Sequence, residues 1–327
     1  MLIINNFERD GYSVYPIIIP ANPGLLTYNF FLVKHNQSLT LIDAGIPSDS
    51  CWEGLMETLE KNGFYLQDIT EILLTHHHID HVGVVNRITE QHPIPVYAHP
   101  LAIPRVKRDP EFLNTRIAFF EQFYQEMDCG EEGAKQVDYL KKSVEKNAHL
   151  KLTAAISPLE EGMRIFDFYV KEVPGHAPDQ IALVDERRRW CFGGDHLIQH
   201  ISSNALVEPD FMNQRIRSLV DYKQSLKAFM DLNVDLVFAG HGEMIEDPKQ
   251  LIEMRLSRIV KKSEKIKGLI QSGISTGSKL AKQLYQSQYQ KQFSLVMSEV
   301  VGHLDALEAD KQIEKQMKDG VWHYRVV

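Results

Sequence analysis

The stretch Ile72 to Gly83, ILLTHHHIDHVG, constrains this chain more than any other. Four histidines and one aspartate fall between His76 and His81. A helix cannot gather them, because residues two apart, such as His76 and His78, point about 200° apart on a helix. The preceding Ile72-Leu73-Leu74-Thr75 has the length and content of a buried strand. His76, His78, Asp80 and His81 therefore belong on a loop leaving a strand end, with Asp80 and His81 near the start of the next helix. His77 is expected to face solvent or to support the others from behind.

Three later stretches repeat the pattern of an apolar strand, a glycine, then one side chain able to ligate. VPGHAPDQ offers His176, CFGGDHL offers Asp195 and VFAGHGE offers His241. Glycine lets the backbone turn tightly at such strand ends, where functional residues collect. Imidazole and carboxylate suit Zn²⁺, Fe or Mn. Cys51, Cys129 and Cys191 are odd in number and far apart, so neither a thiolate site nor a disulfide framework is expected. One loop cannot close two coordination shells, so the distant strand ends must supply partners.

The rest of the chain reads as a soluble, cytoplasmic protein. No apolar run approaches the ~20 residues that span a bilayer, and the N-terminal segment carries no leader pattern. SVYPIIIP, YNFFLVKH and LTLIDAG read as strands, Ser48 to Lys61 as a helix, and IPVYAHP as a strand. Residues 105 to about 150 are Phe- and Tyr-rich helices. From 164 onward RIFDFYVKEV, IALVDE, RWCFGGD and VDLVFAG read as strands, with a helix at 213 to 231. A catalytic unit is expected over residues 1–246, with a helical insert at about 105–150. Residues 247–327 are expected to form a linker helix and a small winged-helix-like domain: helices, with Val300, Val301, Leu304 and Leu307 on one face of the third, then a hairpin at Asp319-Gly320. From residue 251 the chain has 13 basic and 8 acidic residues, against 23 and 36 before it. That basic tail on an acidic body hints at an anionic partner, although solvated lysines on a helix would look the same.

Taken in order, THHHIDH, PGHAPDQ, GGDH and GHGE, with LIDAG at 41–45, resemble the signature of the metallo-β-lactamase superfamily from about residue 12 to 245. The resemblance implies an α/β fold, an αββα sandwich with two divalent ions at one edge, Zn first with Fe or Mn as alternatives. Carried over, His76, His78 and His176 would hold one ion. Asp80, His81 and His241 would hold the other, with Asp195 bridging. It also implies hydrolysis by a hydroxide between the ions, with Asp80 orienting it and shuttling a proton. Many true β-lactamases carry a thiolate where Asp80 stands, so antibiotic hydrolysis is disfavoured. Quorum-lactone hydrolases usually carry Tyr where Ile198 stands, and LIQHISSN departs from the glyoxalase-II-like stretch after the bridging Asp. The tail resembles a subgroup that includes β-lactamase-like single-strand endoribonucleases.

The insert suggests a roofed pocket for a small, partly apolar substrate. The expected function is hydrolysis of a small ester, thioester or lactone, with a phosphodiesterase or endoribonuclease using the basic tail as the alternative. The expected partner is a small molecule; nucleic acid is disfavoured because the body is acidic. No membrane is expected, and a homodimer is compatible. Asp43 is expected to bond a ligand imidazole or loop amides. Tyr28 is a candidate oxyanion donor and His200 a candidate substrate contact, with His196 a weaker one. Phe119, Phe120, Phe123 and Tyr124 read as core.

Overall fold

Alternation of apolar residues builds two facing sheets. The computed structural model describes residues 6–327, so the first five residues of the expected catalytic unit, and the start of the segment read as leaderless, lie outside the described residues. Strands β1 (Phe7–Arg9), β2 (Tyr12–Pro20), β3 (Thr27–His35) and β4 (Ser38–Ile42) pair antiparallel in order. Helix α1 (Asp49–Lys61) crosses to β5 (Glu71–Leu73), which pairs parallel with β4. The short α2 (Ile79–Val82) and α3 (Val85–Gln91) lead to β6 (Val96–Ala98). Helices α4 (Ile103–Val106), α5 (Pro110–Glu126) and α6 (Gly130–Lys146) then fill the connection to β7 (Ile156–Pro158), the parallel edge of this seven-stranded sheet.

The second sheet holds β8 (Arg164–Ile165), β9 (Phe168–Glu172), β10 (Ile181–Asp185) and β11 (Trp190–Gly194). After α7 (Ser218–Met230) it gains β12 (Leu236–Ala239), parallel to β11. The expected single strand RIFDFYVKEV is two strands. Phe166 turns at φ 55°, and Asp167 accepts from Arg188, so the chain folds back between Ile165 and Phe168. The helix expected from 213 starts at Ser218, because Pro209 and Arg215 bridge across a tight turn instead.

Period-two patterning decides the layers. Phe31 and Val33 of β3 point inward with Leu183 and Phe192 of the other sheet, while Phe30 and Leu32 face α1 and α3. On the second sheet Val184, Cys191 and Val237 face α7 and the start of α8 (Pro248–Gln271). The result is helix, sheet, sheet, helix. No helix among the described residues is long and apolar enough to cross a membrane.

The C-terminal part continues with α9 (Gly277–Tyr285), α10 (Ser287–Lys291) and α11 (Phe293–Ala309), then the hairpin β13 (Ile313–Lys318) and β14 (Val321–Val326). Asp319 and Gly320 hold the hairpin turn at φ 49° and 79°. α8 is packed at both ends: Leu251 and Ile252 lie on the second sheet's layer, and Ile266 and Ile270 lie in a second core near its far end. Val300, Val301, Leu304 and Leu307 share a buried face of α11, and Ser298, Gly302, His303 and Asp305 are buried as well. A helix apolar nearly all round is a central one. Gly302 lets it cross α7 closely, since a Cβ there would lie 2.9 Å from the Leu219 Cβ.

The insert and the tail share that second core. Phe119, Phe120, Phe123 and Tyr124 of α5 pack with Met297, Val300 and Val301 of α11. Tyr124 and Phe293 rings lie 5.1 Å apart. The insert's aromatics are therefore covered by the tail helices.

Candidate metal centre

The strand ends meet at one edge of the sandwich. β5 stops at Leu73, and α2 begins after His78, so His76 and His78 ride the loop while Asp80 and His81 sit in the first turn of a helix. His176 follows β9, Asp195 follows β11 and His241 follows β12. Two glycines make this convergence fit. A Cβ on Gly240 would lie 2.6 Å from both Asp195 Oδ1 and His81 Cε1. A Cβ on Gly83 would lie 2.1 Å from the Ile46 carbonyl carbon, where α2 docks on the loop after β4.

All seven candidate ligands are brought together. Their ligand atoms form three overlapping groups in which the atoms lie within 4.8 Å of one another: His76, His78 and His176; His76, His81 and Asp195; Asp80, His81 and His241. The His78 Nδ1 is 3.0 Å from both His76 Nε2 and His176 Nε2. Asp195 lies between the groups, with Oδ1 3.3 Å from His81 Nε2 and Oδ2 3.4 Å from His176 Nε2 and 3.3 Å from His241 Nε2. His241 Nε2 is 3.4 Å from Asp80 Oδ2.

The far sides of the imidazoles are tied down, which sets their direction. His81 Nδ1 meets Asp43 Oδ2 at 2.8 Å, His176 Nδ1 donates to the Asn204 carbonyl at 2.9 Å, and His241 Nδ1 donates to the Thr27 carbonyl at 2.7 Å. With Nδ1 committed on the far side, Nε2 is the ring nitrogen that each of the three turns inward. His81 Nε2, His241 Nε2 and Asp195 Oδ1 are buried with no hydrogen-bond partner. Buried polar atoms left unpaired are costly, and these three aim at one place. A hard or borderline cation satisfies them together, so this nitrogen and oxygen set fits divalent ions.

Electrostatics separate the groups. Burial pushes His76, His78 and His176 down from the ordinary imidazole value, keeping them neutral and able to ligate. Burial acts the same way on His81 and His241, but Asp195 outweighs it and raises both, His241 to about 9. Burial works against ionised Asp80 and Asp195. The nearby imidazoles prevail and hold both carboxyls well below the usual range.

The other candidates take varied places. Asp43, at φ 59°, bonds His81 and also accepts from the Thr75 amide and hydroxyl, both at 2.8 Å. Tyr28 is half-buried on the rim, its ring 5.9 Å from that of His241. His200 meets the Gly24 carbonyl at 3.0 Å and lies over Gly242, so it joins two rim loops rather than entering the ligand cluster. His196 is not a pocket residue: it is buried against Tyr222 and Phe229, and burial takes it down to about 3. Ile198 is buried too.

Sequence reasoning missed Asp179, whose carboxylate accepts from the His77 amide at 2.7 Å and meets its ring nitrogen at 2.6 Å. It turns His77 away from the cluster and braces the loop. In sequence it is only the acid of PGHAPDQ, three residues after His176. The Asn29 amide donates to the Ala239 and Gly242 carbonyls on either side of His241. The Asn204 and Thr27 carbonyls left no signal, since every residue carries one.

Comparison with known proteins agrees with this geometry. The family model for the metallo-β-lactamase superfamily matches residues 23–241. A probable metallo-hydrolase of Bacillus subtilis (strain 168), YqjP, is 32% identical over 301 residues, 91% of this chain and 92% of its own. A β-lactamase-like protein 2 homolog of Caenorhabditis elegans is 25% identical over 256 residues, 74% of this chain and 67% of its own. The crystal structure of the metallo-β-lactamase family protein TTHA1429 from Thermus thermophilus superposes with a TM-score of 0.76 at 22% identity, covering 96% of this chain and 98% of that one. The ordered strand-end ligands, the two facing sheets and these matches lead to one conclusion: the chain belongs to the metallo-β-lactamase superfamily.

Proposed function

We propose that this chain is a hydrolase working through two divalent ions, zinc first with iron or manganese as alternatives, on a small ester, thioester or lactone. One observation carries the reading: Asp195 stands between two three-residue groups and reaches both with its carboxylate oxygens. We assign His76, His78 and His176 to one ion and Asp80, His81 and His241 to the other, with Asp195 shared. Ions bound there supply an activated water at neutral pH and polarise a carbonyl or phosphoryl oxygen.

The chain's own groups do the remainder. Asp43 and the Asn204 and Thr27 carbonyls hold the imidazole tautomers. Asp80, kept ionised, is a proton acceptor at its carboxylate oxygen and can hand that proton to a leaving group. Burial and the neighbouring Asp80 raise the Tyr28 phenol, so it stays protonated and can donate to a developing oxyanion. We also propose residues 1–246 as the catalytic unit and the helices and hairpin beyond it as a winged-helix-like unit seated on the insert. A phosphodiester is the second reading, favoured by the basic face of α8.

The test compares kcat/KM of Zn²⁺- or Mn²⁺-loaded protein on two panels. One holds thioesters, aryl esters and lactones, the other a phosphodiester reporter and single-stranded RNA. A preference of ~100-fold or more for the acyl panel is expected. The opposite preference selects the second reading, and full activity in His76→Ala on both panels would reject the mechanism.

A further inference from the structure

Helix α8 places Arg255, Arg258, Lys261, Lys262 and Lys265 along one side of a groove of about 460 Å³. Like charges three and four residues apart repel on a helix, so a stripe of five needs an account. Two are committed inside the protein. Lys262 pairs with Glu299, and Arg255 donates to the carbonyls of Ile198, Gln199 and Ile201. Arg258, Lys261 and Lys265 form no ion pair among the described residues, and Glu299 is the one carboxylate in the lining. The chain as a whole carries −8, so the patch is not a general surplus of cations.

The floor is apolar, formed by Leu219, Ile259 and the Tyr222 ring. Beside it the Ser203 hydroxyl is buried next to that of Tyr222. The adjacent Tyr222 hydroxyl is already given to the His196 carbonyl at 2.8 Å. Three uncommitted cations above an apolar floor together match an amphiphilic anion. The volume falls within the ~300–1,000 Å³ of small-molecule sites. The groove is distinct from the metal cluster, but one loop separates them. Ser202, Ser203 and Ala205 line the groove, while the Asn204 carbonyl between them holds His176.

We propose that this groove is a binding site for an organic phosphate, its phosphate oxygens among Arg258, Lys261 and Lys265 and its apolar or aromatic body on the floor. The proposal does not rest on the hydrolase reading. Calorimetric titration of the metal-loaded full chain with ADP, and with pyrophosphate for comparison, tests it. One ADP per chain is expected, bound more tightly than pyrophosphate and weakening at least ~10-fold between about 50 and about 200 mM salt. The double variant Lys261→Glu/Lys265→Glu, altered only at exposed side chains, should lose ADP binding by ~30-fold or more while keeping its melting temperature and its metal content. The proposal is overturned if ADP gives no binding at millimolar concentration, or if binding survives the charge reversal, as it would for phosphate held at the metals. It is equally overturned if single-stranded RNA binds and ADP does not, which would make α8 a nucleic-acid face.

Discussion

The metal cleft and the insert–tail core are built on opposite terms. In the cleft the buried groups are polar and stand just past strand ends, and three imidazoles are each held by a named atom: His81 by Asp43, His176 by the Asn204 carbonyl, His241 by the Thr27 carbonyl. In the helical core the buried groups are aromatic and aliphatic, and nothing directional joins Phe120 or Phe123 to Val300 or Met297. The cleft therefore depends on residue chemistry at the ångström level. The core depends on volume and tolerates exchange of one apolar residue for another. Loss of a cleft residue should strike activity and spare the fold, and loss of a core residue should do the reverse.

Asp195→Asn gives the sharpest contrast. Turnover on the preferred substrate should fall on the order of 10³-fold, with metal content reduced by elemental analysis and far-UV circular dichroism unchanged. Near-wild-type turnover would mean the two groups do not share this carboxylate. Phe293→Ala works on the other side. The ring touches Tyr124 of the insert and Tyr289 of the tail, and its removal should cost about 3–5 kcal/mol in urea unfolding. Amide protection in α5 should fall along with that in α11. Should α5 keep its protection while α11 frays, insert and tail are two cores rather than one.

The smallest effect tests a charge inside the helical region. Burial opposes ionised Glu299, but His303 and Lys262 more than compensate and bring its carboxyl down to about 2 from an ordinary 4.5. A depressed carboxyl stabilises the fold above its unfolded value and loses that contribution as pH falls. The wild type should thus exceed Glu299→Gln in stability by on the order of 2 kcal/mol near neutrality, and the gap should close between about pH 4.5 and pH 2. A gap that persists at pH 2 would assign the effect to packing instead.

Much of the cleft was legible before any coordinates. A run such as His76-His77-His78-Ile79-Asp80 has no use in a core, and the glycines before His176, Asp195 and His241 mark backbone turns. The Asp319-Gly320 hairpin was legible for the same reason, because left-handed φ values favour those residue types. Other features left little trace. Asp179 looked like any acid near a turn, and the break at Phe166 sits inside an unbroken β-rich run. His196 has the same chemistry as the ligands but a strand-end geometry that turns it inward.

What this sequence determined alone was the kind of chemistry and the loops that carry it, because ligation demands particular atoms and those are written residue by residue. Only the tertiary structure decided which surfaces cover one another: the insert's aromatics on the tail helices, α8 packed at both ends, and the basic stripe folded over an apolar floor. Apolar burial has no direction and no unique partner, so an amphipathic helix declares that it will be covered without declaring by what.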